Sequence, residues 1–396
     1  MNKVLILGAG IYQVPLIMKA KEQGIYTIVC SIEGDYPGFK IADKSYFVDT
    51  TDIDNILNIA IQENIDGIVT AGTDVPITTI GKVCDELGLY GLSYDSAQKS
   101  TIKTKMKDAF IEEGVRTAKY VTCYDDQQAK EALSILTMPV IFKAVDSSGS
   151  RGIIKVESND NTIIRQAIEI IKTVTKKEYF IVEEYIEGTE FGAQALICNG
   201  KLKFFMPHGD YVFKGDTGVP IGHFVPYNLD KSIIDDAKLQ LEGAIKALNL
   251  NNCAINADFI LNNQKVYVLE IGARSGATCL AEMVSIAYNI DYYKAILDVA
   301  LKGSCDDFSQ KEIIPSVAKL IISDKNGIIS DILLPETRNE DIVEISVDYK
   351  VGDYVNQFKV GPDRIGDVIV KGKSLESAQS LMNKVMSELE IKINEK

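Results

Sequence analysis

The chain opens with an apolar run, Val4-Leu5-Ile6-Leu7, that passes directly into Gly8-Ala9-Gly10. Short apolar runs and amphipathic stretches then alternate through the first 97 residues, with strands expected at 3–7, 26–30 and 66–70 and helices near 12–23, 52–63 and 75–87. Parallel strands need a crossover between them, so this βαβ rhythm restricts the region to a Rossmann-like α/β layer. Gly8 and Gly10 supply two of the three glycines of a dinucleotide fingerprint, but its third position is Gln13, and only Glu33 approaches the acidic residue expected about 20 residues further on. A bulky third residue opposes close packing of helix on strand, so no nicotinamide cofactor is expected here. Ligands of such sheets gather beyond the strand C-termini, which makes Tyr12 and Asp74 candidate substrate contacts; helix-start capping and packing explain both equally well.

The chemistry must then come from elsewhere, and composition narrows it. A chain of 396 residues suggests two or three domains. A net charge of -14, spread along the chain, disfavours nucleic acid and anionic membranes as partners, because both need a basic face. Any anionic ligand requires a few lysines and arginines gathered locally. No apolar run approaches the roughly 18 to 20 residues that span a bilayer. The N-terminus enters a strand without a signal-like segment, so a cytoplasmic location is expected. Seven scattered cysteines with no C-x-x-C pair read as reduced thiols, and two histidines, His208 and His223, leave little for a histidine metal site.

From about 98 to 310 the chain changes character. A helix from Lys103 to Glu113 is followed by strands expected at 119–122, 139–144, 152–156, 179–184, 190–198 and 201–212. A strand at 316–324, further β segments and a final helix near 374–390 complete the chain. The expected divisions are 1–97, 98–310 with a lid at about 120–187, and 311–396, in a protein of α/β and α+β class.

Four stretches carry chemistry. In PVIFKAVDSSGSRG, from Pro139 to Gly152, an apolar strand delivers Lys143 and a loop of small residues follows, whose backbone N–H groups can approach phosphate oxygens. Upstream, Lys103-Thr104-Lys105-Met106-Lys107 opens a helix; downstream, IVEEYIEGTE from Ile181 to Glu190 is a strand turning acidic. Last, NADFILNNQKVYVLEIGAR, from Asn256 to Arg274, is a hairpin. Residues two apart on a strand share a face, so Asn256 lies with Asp258, and Glu270, Gly272 and Arg274 line one face of the partner strand. Two carboxylates without a histidine or thiol suit a hard cation such as magnesium.

In this order and spacing the four stretches resemble the ATP-grasp superfamily over essentially the whole chain. The resemblance implies a nucleotide held between two α+β subdomains, an N-terminal Rossmann-like lobe that helps to bind substrate, and a C-terminal α+β domain. It implies ATP and Mg2+ as cofactors, with Lys103 and the catalytic Lys143 on the phosphates and the loop containing Ser148, Gly149 and Ser150 over them. Glu183, the backbone from Glu184 to Ile186, and Glu190 look like the hinge for adenine and ribose. Asp258 and Glu270 look like the metal carboxylates, and Arg274 like the catalytic cation beside a developing acyl phosphate. Two positions depart from the family. Glu184 stands where many relatives carry lysine. Gly272 replaces the usual asparagine ligand, leaving one magnesium to Glu270 and water or to Asn256 reaching across.

Within the superfamily the likeness is to carboxylate–amine ligases related to biotin carboxylase and the carbamoyl-phosphate synthetase large subunit, carried by SVAKLIIS (316–323) and RIGDVIVKGKSLESA (364–378). Lys319 falls where relatives often place an arginine facing the substrate, which makes it a candidate carboxylate anchor, with an edge-strand lysine as the equal alternative. Glu282 matches a carboxylase base that ligases also carry. The resemblance implies an ADP-forming ligase acting through an acyl phosphate on a small carboxylate, plausibly an amino acid, and an amine; it allows a homodimer. A bicarbonate-using carboxylase and a non-catalytic ATP-binding module are the alternatives.

Overall fold

The computed structural model describes residues 1–147, 152–214, 218–306, 308 and 312–395. The N-terminal region holds a parallel sheet in the order Lys44–Phe47, Tyr26–Ser31, Lys3–Leu7, Gly67–Val69. Alternation along its central strand explains why both faces are covered. Leu5 and Leu7 enter one apolar cluster with Ile56 and Ile80, while Val4 and Ile6 enter another with Leu16 and Ile17. Helices Ile53–Glu63 and Ile77–Leu87 thus lie on one side and Val14–Glu22 on the other. Gln13 packs beneath the glycine turn: its Oε1 accepts from the Gly10 N–H at 2.9 Å and its Nε2 donates to the Ala71 carbonyl at 2.5 Å. An N–H that could meet a pyrophosphate is therefore taken by a side chain of the same turn. The expected division at 97/98 falls inside the helix Tyr94–Thr101.

A four-stranded antiparallel sheet follows, ordered Tyr120–Cys123, Phe180–Glu184, Val140–Ala144, Ile153–Val156. Helices Asp126–Ile135 and Asn161–Lys172 bury Ala129, Ile164 and Ile168 against its Phe142 and Phe180, making a separate small core. The second helix starts at Asp160, whose carboxylate accepts from the Thr162 and Ile163 N–H groups.

The centre of the molecule is an eight-stranded sheet. Its order is Lys265–Gly272, Cys253–Asn262, Thr189–Cys198, Lys201–Val212, Pro220–Val225, Ser316–Ile321, Gly366–Lys371, Ile342–Val347. Every pairing in it is antiparallel. The expected division at 310/311 therefore runs between two hydrogen-bonded strands, and the C-terminal region extends the central sheet. Its final long helix, Leu375–Glu388, buries Ala378, Met382 and Val385 with Val317, Val368 and Val370 from that extension.

Candidate active site

A cavity of about 1160 Å³ opens where the three sheets meet, with Tyr12, Lys143, Ile186, Asp258, Glu270 and Arg274 among its lining residues. The central sheet supplies its floor as a row of directly opposed positions. Glu270 faces Asp258 across one strand pair, Asp258 faces Gly192 across the next, and Gly192 faces His208 across the third. Opposed residues share a face, so one sheet face presents two carboxylates, a gap and an imidazole. The gap is required: a Cβ on Gly192 would sit 2.2 Å from His208 Cε1 and 2.5 Å from its Nε2, so the ring leans over the glycine. Burial, then the Glu270 and Asp210 carboxylates, push the Asp258 carboxyl up to about 7, against the pull of Arg274 and His208.

The smaller sheet forms the opposite wall. Lys143 and Glu183 stand on the same face of adjacent strands and are ion-paired, and Lys107, one turn beyond Lys103 on the helix Lys103–Glu113, reaches the same carboxylate at 2.7 Å. Burial alone would raise the Glu183 carboxyl, but Lys143 and then Lys107 hold it down at about 2. Lys107 is itself pushed down by burial despite Glu183, because a second ammonium, Lys143, shares that carboxylate. One negative charge between two positive ones leaves local positive charge in a protein that is acidic overall. Lys103 donates to the Ser147 carbonyl at 2.7 Å and lies 3.3 Å from Glu270, bridging the two walls.

This geometry bears on the sequence expectations one by one. Glu183 lines the cavity, and its carboxylate, in a residue only 2% exposed, is committed to the two lysines. Glu184, Ile186 and Glu190 do line the cavity, with the Glu184 side chain accepting from the Thr137 N–H at 3.1 Å. Lys319 lies outside the cavity lining. It sits opposite Gly222, one residue out of step with the His223–Ala318 pair, so its side chain projects from the other face, and its ammonium is 4.6 Å from the Tyr211 ring. Ser148, Gly149 and Ser150 lie outside the described residues.

Tyr12 and Asp74 both reach the cavity from the N-terminal region. Asp74 binds Arg274 at 2.7 Å, across 200 residues of sequence. It also explains Gly272: a Cβ there would come within 2.8 Å of Asp74 Oδ1, so the carboxylate occupies the space that an asparagine would need. Asn256 faces Gly272 in register, but its Oδ1 accepts from Gln194 Nε2 at 2.6 Å. Beside Tyr12, Arg364 lies 5.5 Å from the ring and pairs with Asp348 and Asp367 at 3.0 and 2.9 Å.

Three residues that the structure brings to this site were not read as site residues from the sequence. Lys107 follows Lys103 at the i,i+4 spacing that shares a helix face, a signal present in KTKMK. His208 and His223 are brought together by Asp210: their Nδ1 atoms lie 2.8 and 2.6 Å from its Oδ1, and both rings line the cavity. Nothing short of strand register reveals that meeting.

A fold with an opened central sheet, a small lid-like sheet, lysines on one wall and paired carboxylates on the other defines an ATP-grasp protein. Residues 101–278 match the phosphoribosylglycinamide synthetase ATP-grasp (A) domain, and residues 319–394 match the L-amino acid ligase C-terminal domain 2. The crystal structure of phosphoribosylglycinamide synthetase from Anaerococcus prevotii superposes with a TM-score of 0.85 at 35% identity, covering 99% of this chain and 100% of that one. The chain belongs to the ATP-grasp family. The L-amino acid ligase of Bacillus licheniformis shares the fold, with a TM-score of 0.82 at 16% identity over 100% of this chain and 99% of the other. Alanine–anticapsin ligase of Bacillus subtilis (strain 168) is 27% identical over 281 residues, 64% of this chain and 58% of that protein's length. The chain thus matches under two thirds of that relative. ATP-grasp enzymes use ATP, and among the described residues no helix is long and apolar enough to cross a membrane.

Proposed function

We propose that this protein is an ATP-dependent, ADP-forming ligase that joins a small carboxylate to an amine through an acyl phosphate. The observation that carries this reading is the convergence of Lys143, Asp258, Glu270 and Arg274 on one cavity that Tyr12 and Asp74 also enter. ATP fits the wall where two lysines share one carboxylate. Magnesium fits the floor, where Asp258 faces Glu270 and is pushed up to about 7 in part by that neighbour, a crowding that a divalent cation relieves. Bound there, magnesium would supply neutralisation of charge on the transferring phosphoryl group.

The chain's own groups do the rest. Lys143 and Lys103 hold phosphate oxygens, Glu183 orients Lys143, and the backbone from Glu184 to Ile186 with Glu190 borders the nucleoside. Arg274, oriented by Asp74, stabilises the negative charge that develops as the carboxylate oxygen attacks phosphorus. Positioning and charge suffice, so no covalent nucleophile is needed. The match to an L-amino acid ligase domain and the likeness to alanine–anticapsin ligase support an amino acid as one substrate.

We assign the nucleotide to the region 98–310 and the substrate contacts to 1–97 and 311–396. Seven free thiols support a reducing, cytoplasmic setting, and a homodimer is testable by light scattering. The functional test is a screen of proteinogenic L-amino acids, singly and in pairs, for ADP and phosphate release with Mg-ATP. Release that requires both a carboxylate and an amine supports the reading. Release that requires bicarbonate, or ATP binding without turnover under any pair, refutes it.

A further inference from the structure

His208, Asp210 and His223 form a cluster that the phosphoryl-transfer machinery leaves unused. Asp210 is directly opposed to His223 on the adjacent strand, and His208 stands two residues before it on the same face. The two rings are 2% and 3% exposed, with centroids 5.1 Å apart and planes at 80°. Against burial, which opposes it, His208 and then His223 hold the Asp210 carboxyl well below the carboxylate range. Asp210 is therefore an acceptor only, and both Nδ1 atoms donate to it. Burial pushes His223 down, which keeps it neutral at physiological pH.

A neutral imidazole that donates from Nδ1 has only a lone pair at Nε2. Both Nε2 atoms are buried and have no hydrogen-bond partner among the described residues. A buried ring nitrogen without a partner is costly, so two of them on a cavity wall point to a ligand. The neutral His223 offers phosphate and carboxylate oxygens no donor at Nε2, and magnesium prefers oxygen ligands. The ionised Asp210 between the two rings makes the immediate surroundings negative, which draws a cation and repels an anion. The ligand that matches is a cationic N–H donor.

We infer that His208 and His223 form the receptor for the attacking amine, holding its N–H groups on their Nε2 atoms beside the row that ends in Asp258 and Glu270. The inference rests on the ligase reading. In the step it serves, the bound ammonium first gives a proton to the His223 Nε2, and the lone pair so freed forms the C–N bond to the acyl phosphate carbonyl carbon. The C–O bond to phosphate breaks, and inorganic phosphate leaves with that electron pair and takes up the second N–H proton. Gly192 is part of the device, because only its missing side chain lets the His208 ring lie over the strand between it and Asp258.

The test uses the full chain with Mg-ATP. Proteinogenic L-amino acids are first offered with hydroxylamine, a nucleophile that is neutral at assay pH, and hydroxamate reports acyl phosphate formation. The reactive carboxylates are then offered with each amino acid as acceptor, and phosphate release is followed. His208→Asn and His223→Asn keep an N–H for Asp210 but lose Nε2. Each is expected to raise the acceptor KM about 10- to 100-fold, while the carboxylate KM in the hydroxamate assay stays within about twofold. His208→Gln and His223→Gln, which return an acceptor near Nε2, should recover part of the loss and serve as the folded comparison if an Asn variant proves unstable. An unchanged acceptor KM in the Asn and Gln variants overturns the inference, as does stoichiometric Co2+ binding by the wild type that the variants lose. Wild-type protein that forms hydroxamate but responds to no acceptor overturns it as well. No hydroxamate and no phosphate release from the wild type with any amino acid overturns the ligase reading itself.

Discussion

Replacing Glu183 with glutamine tests the lysine wall most directly. The side chain is almost fully buried, is ion-paired to Lys143, and lies 2.7 Å from Lys107. Glutamine preserves volume and removes the charge, so two buried ammonium groups lose their shared counter-ion. The carboxyl sits at about 2 against an ordinary value of 4.5. At about 1.4 kcal/mol for each tenfold change in proton affinity, that gap corresponds to about 3 kcal/mol of stability at neutral pH. Loss of one partner of a buried pair costs a similar 3 to 5 kcal/mol, roughly. The sign follows from linkage. A carboxyl held below its unfolded value stabilises fully above about 4.5, and the contribution is lost as pH falls toward about 2. Urea unfolding of Glu183→Gln at pH 7 should show a loss of roughly 3 kcal/mol, and the difference from wild type should shrink as pH is lowered through 4 toward the limit of the folded state. A variant within about 0.5 kcal/mol of wild type at pH 7 would refute the assignment of Glu183 as counter-ion to both lysines.

Other perturbations read the remaining parts of the site. Glu270→Ala and Lys143→Ala should fold but lose about two or more orders of magnitude in kcat, measured by ADP release; substantial activity of Glu270→Ala with magnesium present would sink the metal assignment. Gly272→Asn should displace the Asp74 carboxylate, whose Oδ1 lies 2.8 Å from the new Cβ, and raise the KM for the carboxylate substrate by about tenfold; unchanged kinetics would show that Asp74 is not an active-site group. Lys319→Ala should leave substrate KM within about twofold, since its ammonium lies over Tyr211 on the other sheet face; a large KM rise would return it to the site.

How much was legible in the sequence depended on the range of the signal. Asp258 and Glu270 could be paired on paper because a short hairpin and a two-residue alternation fix their relation, and the strands carry that register. The strand that carries Lys143 was legible from its apolar run, whereas the role of the lysine came only with the resemblance. Lys319 failed because a single residue of register decides its face, and nothing within SVAKLIIS specifies which residue meets Gly222. The resemblance put Glu183 at the hinge, and its ion pair was hidden because Lys107 sits 76 residues upstream on a helix. The histidines were set aside on number alone. Two histidines suffice when one aspartate orients both, and their strands are joined through a segment that itself carries no such signal.

The central sheet does not stop at the nucleotide-binding strands. Ser316–Ile321 hydrogen-bonds to the strand bearing His223, and Ala318 lies directly opposite that histidine. The C-terminal portion is therefore not a bead on a string that can be traded freely between enzymes. A graft that slips by one position would turn Lys319 toward the imidazoles and Ala318 away from them, setting a fixed cation where an N–H donor is to arrive. Any exchange of this part must keep the hydrogen-bond ladder in phase, and small adjustments behind the sheet gain a route to shift the imidazoles that line the cavity.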